Sequence, residues 1–270
     1  MSKHVLITGA ASGIGAAAAD ALRAKGARVV GLDLNGDGGA IIACDVRDQE
    51  SVDRGVAEAI DRLGGLDVLI NNAGIGNPQS AGSAPDEDAL RVIEVNMLGP
   101  WRVTSAALPA LRESGGRVVN VASGLAHVAF PFAPAYCMSK RGLTAYSDAL
   151  RFEHGDAITV TTVYPGYIRT PIHATSNAAG LALEGAIPAE RVEDAARTLV
   201  RAALGRPARD LATTRAGAIQ YWLARRSPRR LVDRAITGRV RRLVKGGHFD
   251  RSELAREFVA RGRARRRLST

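Results

Sequence analysis

The sequence predicts a doubly wound α/β fold, in which a mainly parallel sheet is covered by helices on both faces and followed by a basic helical C-terminal extension. Three observations carry this. Between residues 3 and 204, short runs rich in Val and Ile alternate with helical patterns. The runs are continuously apolar rather than alternating, as strands buried on both faces must be. A glycine-rich turn joins the first strand to the first helix, where such folds bring ligands.

The elements follow in order. HVLIT (4–8) reads as a strand and 13–25 as an Ala-rich helix. ARVVGLD (27–33) is the second strand and AIIACD (40–45) the third. A helix at 50–63 precedes LDVLINN (66–72), a buried strand. Residues 86–112 read as helical, with bends expected at Pro100 and Pro109. GRVVNVAS (116–123) is a strand, 135–153 a helix and ITVTTVYP (158–165) a strand. DLATTRA (210–216) supplies the last strand. Crossovers between parallel strands are expected to be right-handed. The composition shifts near 206–210. That divides the chain into 1–205 and a segment, 206–270, holding the last strand and an amphipathic extension.

The 270 residues are 46% hydrophobic and 24% charged, which excludes wholesale disorder and collagen-like repeats. Two cysteines, Cys44 and Cys137, are too few for a disulfide scaffold or a Cys-rich zinc module. They fit a reducing, cytoplasmic setting. No apolar run reaches the roughly 18–20 residues that span a bilayer, and the N-terminus carries no signal-peptide core. The five histidines (4, 127, 154, 173 and 248) lack metal-ligand spacing, so no metal is expected.

Thr8-Gly9-Ala10-Ala11-Ser12-Gly13-Ile14-Gly15 follows a strand and opens a helix, the context of a dinucleotide site. Glycine permits the sharp turn and close approach of a pyrophosphate. The helix N-terminus offers free N–H groups and a positive dipole end. Gly9, Ser12, Gly13, Ile14 and Gly15 are therefore candidate cofactor-binding residues. Asp33 ends the second strand, 18 residues past Gly15, where a carboxylate accepts hydrogen bonds from an adenosine ribose. It also repels a 2′-phosphate, and Leu34 offers no base to welcome one. This favours NAD, with NADP as the alternative. Asp45 and Val46, at the end of the third strand, are candidates for the adenine ring. Asn71-Asn72-Ala73-Gly74 ends the fourth strand, and its small residues let a ligand pass close to the backbone.

Tyr136 and Lys140 lie four residues apart in a helical pattern and face the same way. A free phenol, with pKa ~10, is a poor base at neutral pH. A nearby ammonium, and the positive charge of an oxidised nicotinamide, would favour the phenolate and make it a usable general acid/base. Ser123 ends a strand 13 residues earlier. Ser139 and Tyr146 read as packing or surface residues, and Cys137 as a small helix residue without a base to activate it.

Together these residues resemble the short-chain dehydrogenase/reductase (SDR) family. The resemblance rests on TGAASGIG (8–15), NNAG (71–74), Asn96 in VNMLGP, Ser123 in VVNVAS, YCMSK (136–140) and YPGYIRTP (164–171), in the family's order and spacing. It spans residues 3–205 and implies a Rossmann-type, dinucleotide-binding catalytic domain. It implies that Tyr136 exchanges a proton with the substrate oxygen and that Ser123 polarises or positions that oxygen. Lys140 would lower the Tyr136 pKa and hydrogen-bond the nicotinamide ribose. Asn96 would sit at a helix bend and hold a water that links Lys140 to solvent. Pro165, Gly166 and Ile168 would pass beside the nicotinamide, and Thr170 would bind its carboxamide. Hydride transfer of this kind interconverts a secondary alcohol and a ketone without a metal.

After the Pro-Gly motif the family carries a lid, here about 171–190, with Ile172, Leu181, Leu183 and Ile187 and the acids Glu184 and Glu190. Residues 125–134 add Leu125, Val128, Phe130 and Phe132. These suggest a lipophilic alcohol or ketone, and His127 and His173 border the same region. The chain lacks the Asp-Gly-Gly ending that many members use at a tetramer interface. A homodimer through helices near 96–112 and 135–153 is expected, with the tetramer as the alternative.

Residues 206–270 hold 19 of the 37 basic and 5 of the 27 acidic residues, a net +14 against −4 for the remainder. The chain has 33 Arg and 4 Lys, a bias that a GC-rich genome also produces. Leu231, Val232, Ile236, Val240, Leu243 and Val244 have helical spacing among Arg234, Arg239, Arg241, Arg242 and Lys245, with Tyr221, Trp222 and Leu223 just before. Such a helix either rests peripherally on a membrane surface or packs its apolar stripe on its own subunit or a dimer mate. Basic charge alone supports only non-specific nucleic-acid binding, which is the weakest option. RGRARRRLST (261–270) reads as disordered. Beside the enzyme stand two other classes: a non-catalytic nucleotide-binding scaffold, and a protein whose basic tail carries the function.

Overall fold

The computed structural model describes residues 2–181 and 189–267. Leu183, Glu184 and Ile187 of the expected lid lie outside the described residues.

The chain begins β1 (His4–Thr8), α1 (Gly13–Arg23), β2 (Arg28–Asp33), β3 (Ile41–Ala43), α2 (Gln49–Leu63) and β4 (Val68–Asn71). It continues α3 (Glu87–Ile93), a π-helical turn (Glu94–Leu98), α4 (Gly99–Glu113), β5 (Arg117–Val121), α5 (Pro134–His154) and β6 (Thr159–Tyr164). Then come β7 (Tyr167–Ile168), α6 (Ala174–Ala178), β8 (Ala189–Glu190), α7 (Val192–Leu204) and β9 (Asp210–Ala212). Seven strands form one sheet in the order β3-β2-β1-β4-β5-β6-β9, and every pairing is parallel. The order reverses between β1 and β4, the switch point at which open parallel sheets bind ligands. The fold is the doubly wound Rossmann type.

Side chains of successive strand residues leave the sheet on opposite faces, and each face has its own core. Leu6, Leu32, Leu69 and Val118 pack with Val52, Val56, Leu63, Val103 and Leu111 of α2 and α4. Val5, Ile7, Ile70 and Val119 pack with Ala18 and Leu22 of α1 and Leu199 of α7. That is why the strands read as unbroken apolar runs. β9 pairs with β6, so the last strand completes this sheet rather than starting a separate body.

Two differences from the sequence expectation matter for the site. The 86–112 helix breaks at 94–98, at the Asn96 bend that the resemblance implied but ahead of both prolines. Pro100 has no N–H to give the Asn96 carbonyl, the bond an α-helix would place there. The second difference is the tail, which forms α8 (Arg215–Arg226), α9 (Arg229–Lys245) and α10 (Arg256–Arg267). Val244, Phe249, Ala255 and Val259 pack with Leu181 and against Phe130 and Phe132. Phe132 takes a left-handed backbone (φ 63°), unusual for a bulky residue, and its ring is held edge-on by Phe249 and Phe258 at 5.8 and 5.5 Å. α10 thus runs into the segment read as disordered, because Ala255 and Val259 bury an apolar edge. Among the described residues no helix is long and apolar enough to cross a membrane.

Candidate active site

The turn after β1 is built by tertiary contacts as much as by glycine. Gly9 has φ +67° and Gly13 φ +55°, conformations that side chains disfavour. A methyl on Gly9 would meet Ala73 Cα at 2.8 Å, and one on Gly15 would run into the Gly9 carbonyl. Thr8 Oγ1 accepts the Asn72 and Ala73 N–H groups at 3.0 Å each, and Asn72 Nδ2 donates to the Thr8 and Gly9 carbonyls. Gly13 lies against Thr170, whose Cγ2 would be 3.3 Å from an added methyl. The Pro165–Thr170 segment and the glycine turn therefore face one another across the strand ends. Ser12 caps α1 with extended backbone but without a side-chain hydrogen bond. The first-turn N–H groups stay free of that hydroxyl, as a bound pyrophosphate would require. The donor set fits a dinucleotide.

The Asp33 carboxylate accepts the Ala11 N–H at 3.0 Å and the Asn35 N–H at 3.2 Å. It is pinned beside the glycine turn, with lone pairs left over on both oxygens. Asp45 is placed differently. Its carboxylate is gripped by Arg47, with Nη2 at 2.6 Å, and that guanidinium holds it below the usual carboxylate range. Val46 is buried against Gly99. The Asp45 side chain is thus engaged by Arg47, and its backbone N–H and carbonyl by Ser51 and Asp48, leaving the Val46 backbone for any ring contact.

Ser123, Tyr136, Lys140 and Asn96 come together at the ends of β4 and β5. The Ser123 hydroxyl lies near enough to the Tyr136 phenol to draw its pKa down. Lys140 is 3% exposed, and its Nζ donates to the Val121 carbonyl at 2.9 Å. That Nζ lies 5.8 Å from the centroid of the Tyr136 ring. Asn96 is fully buried in the π turn. Its Oδ1 accepts the Ile75 N–H at 2.8 Å and its Nδ2 donates to the Ile75 carbonyl at 2.9 Å. Gly74 separates Asn96 from Lys140: a methyl there would lie 3.3 Å from Oδ1 and 3.4 Å from Nζ.

Burial dominates the electrostatics of the Tyr136–Lys140 pair. Burial pushes the Tyr136 phenol up to about 12, against the nearby Ser123 hydroxyl that pulls it down. Burial pushes Lys140 down to about 8. Loss of water thus drives both groups toward their neutral forms. His127 is likewise neutral, pushed to about 4 chiefly by burial.

Three residues carry more than the sequence reading gave them. Ser139 is fully buried; its Oγ accepts from Asn96 Nδ2 at 3.2 Å and donates to the Tyr136 carbonyl at 2.9 Å. Its place three residues after Tyr136 was the available signal. Glu190 accepts the Gly166 N–H at 3.0 Å, the Thr214 hydroxyl at 2.7 Å and the Thr213 hydroxyl. Tyr221, from α8, reaches Gly124 beside Ser123. Nothing in the sequence marks either contact. Pro165 accepts the Gly124 N–H at 3.0 Å, and Ile168 is buried in the β7–β8 pair. Among the described residues no cluster of three or more His, Cys, Asp or Glu could hold a metal.

Comparison with known proteins agrees with this geometry. The family model described as "short chain dehydrogenase" matches residues 3–180. A fatty acyl-CoA reductase of Mycobacterium tuberculosis is 35% identical over 226 residues, 77% of this chain and 75% of that protein. D-threitol dehydrogenase of Mycolicibacterium smegmatis is 34% identical over 207 residues, 70% of this chain and 80% of that one. Among solved structures, a short chain dehydrogenase from Burkholderia cenocepacia in complex with NADP superposes with a TM-score of 0.73 at 28% identity. That match covers 87% of this chain and 99% of the other. A 3-ketoacyl-(acyl-carrier-protein) reductase from Brucella melitensis complexed with NADH gives 0.69 at 28% identity, covering 78% and 96%. With the parallel sheet, the glycine turn and the Asn-Ser-Tyr-Lys constellation in place, the chain belongs to the short-chain dehydrogenase family.

Proposed function

We propose that this protein interconverts a secondary alcohol and a ketone on a largely apolar substrate, with NAD preferred over NADP. It is an oxidoreductase acting on CH–OH groups with NAD(P), the class to which its relatives' names belong. The observation that carries the reading is the meeting of Ser123, Tyr136, Lys140 and Asn96 at the strand ends. Ser123 and Tyr136 present two hydroxyls to one substrate oxygen. Tyr136 takes the proton from an alcohol or returns it to a ketone at that oxygen. Lys140, aimed by the Val121 carbonyl, steadies the phenol and the ribose beside it. Asn96, fixed by Ile75 and Ser139, keeps the π turn open below Lys140. When bound, the nicotinamide supplies or accepts the hydride. Ile172 supports an apolar substrate, since its Cγ1 and Tyr136 Cδ2 both border Gly76. Phe130 and Phe132 add little, because they pack on the tail.

The test of the cofactor is a fluorescence titration with NADH and NADPH. NADH is expected to bind tighter. A hydrogen bond to a charged group contributes about 1.5–3 kcal/mol, so Asp33→Ala weakens NADH by about tenfold or more and narrows the preference. An unchanged ratio refutes the role given to Asp33.

Two further parts of the proposal concern partners. A groove of about 490 Å³ on α4 and α5, lined by Met97, Trp101, Leu108, Tyr146 and Leu150, leaves Trp101 58% exposed. A second copy of the chain closes it, so Trp101→Glu turns a dimer into a monomer in sedimentation. A wild-type monomer would refute this. On the tail, the far half of α9 packs on its own subunit through Val240 and Val244. The α8 face keeps Ile219, Trp222 and Leu223 exposed, with Leu231 of α9, among arginines. This face rests peripherally on an anionic bilayer. Vesicles of phosphatidylserine and phosphatidylcholine bind the chain and release it in salt; equal binding to neutral vesicles, or none, removes the idea.

A further inference from the structure

α8 belongs to the basic extension, yet it is tied into the reaction centre. Its N-terminal Thr214 donates to Glu190, and Glu190 also accepts the Gly166 N–H of the Pro-Gly segment. Gly217 allows the close approach: a methyl there would meet Thr214 Oγ1 at 3.1 Å and Glu190 Oε1 at 3.4 Å. One turn later Tyr221 extends over β5 and β6. Its ring packs on Ala122, Ala126 and Tyr164, and lies 5.4 Å from His127. Its hydroxyl ends above Gly124, where an added methyl would be only 2.5 Å away. Gly124 follows Ser123 directly, so the phenol stands beside the catalytic serine. Burial, with the charge of Glu190 beside it, pushes this phenol up to about 12.

A ketone oxygen has two lone pairs, and the Ser123 and Tyr136 hydroxyls already meet them. The Tyr221 hydroxyl is therefore surplus to the reacting oxygen. We find no hydrogen bond from it to any described residue. The neighbouring His127 is held neutral, and its Nε2 is buried without a hydrogen-bond partner among the described residues. A polar group enclosed without a partner is unfavourable.

We propose that Tyr221, supplied by the C-terminal extension, is a specificity-determining residue whose hydroxyl donates to a second oxygen of the substrate, distinct from the one undergoing reaction. The preferred substrate is then a hydroxy- or oxo-compound with an additional acceptor, such as an ester or carboxylate, on an otherwise apolar frame. This rests on the oxidoreductase reading and narrows its substrate class.

The experiment compares two probes of equal length, a plain methyl ketone and a 3-oxo ester, with NADH and the full chain. Tyr221→Phe keeps the ring and its packing while removing only the hydroxyl. Expected is a loss in kcat/KM of about tenfold with the 3-oxo ester, the fold-change of one hydrogen bond. Less than twofold is expected with the methyl ketone, with NADH affinity and Tm unchanged. Equal losses on both probes would reduce Tyr221 to a packing residue, and no loss on either would remove it from the site. If the wild-type chain turns over neither probe in either direction, the oxidoreductase reading fails first and the role of Tyr221 falls with it. Turnover of both probes with no response to Tyr221→Phe overturns the inference alone.

Discussion

Tyr136→Phe is expected to lower kcat by about 10³-fold or more while leaving NADH affinity within about twofold. A positioned acid/base contributes about 10²–10⁴-fold, and here the same phenol is also one of the two hydroxyls set against the substrate oxygen. The substitution removes one oxygen and keeps the ring, so the packing of Tyr136 against Ala89, Val92 and Ala135 persists. The remaining Ser123 still meets the substrate oxygen but has no acid behind it. The pH dependence follows from the phenol being pushed up to about 12. It stays protonated through the neutral range, which suits proton donation to a ketone. Oxidation of an alcohol needs the deprotonated form, so its rate climbs with pH toward that value, and Tyr136→Phe removes the climb. Steady-state kinetics in both directions, with a parallel NADH titration, check the expectation. Turnover retained within tenfold would take the acid/base role away from Tyr136.

What could be read in advance divides by the range of the interactions involved. β1, β2, β5 and β6 were legible because burial on both faces forces unbroken Val and Ile runs. The Tyr136–Lys140 pair was legible because four residues on a helix is a local geometry. The bend at Asn96 came only from the resemblance, since the π turn depends on Asn96 reaching the Ile75 backbone, on the other side of α3. Phe130 and Phe132 looked like substrate wall, but their partners Phe249, Phe258 and Val259 lie more than a hundred residues away. The Glu190 clamp and the placement of Tyr221 over Gly124 are long-range in the same way. The tail offered its amphipathic pattern in advance, but not the division of labour along it. One half of α9 is buried on the subunit, while α8 turns one side to the active centre and another outward.

Lys140→Met separates function from stability, and its effect on each has the opposite sign. Catalysis falls, with kcat/KM down by about 10²-fold or more, since the ammonium beside Tyr136 is gone. Unlike Tyr136→Phe, this change is expected to weaken NADH as well, because under the proposed function that Nζ steadies the ribose. Stability at neutral pH rises. Lys140 is 3% exposed, and among the described residues its ammonium has one hydrogen-bond partner, the Val121 carbonyl. A buried charge so thinly compensated costs more than the one hydrogen bond returns, and Met fills the space with an unbranched apolar chain. Burial holds the folded-state pKa at about 8, below the ordinary lysine value of 10.5. Between those values the unfolded chain binds the proton that the folded chain has shed, so this group's penalty lifts as pH rises through the window. Below about pH 8 the penalty is present in full. The variant should therefore melt a few degrees above wild type at pH 7, each 1 kcal/mol being worth about 2–4 °C in a chain of this size. The gain should shrink as pH approaches 10. Melting curves at the two pH values, set beside the kinetics, decide it. A lower Tm at pH 7 would mean that Lys140 is held by more than the Val121 carbonyl, and that the site carries its ammonium without strain.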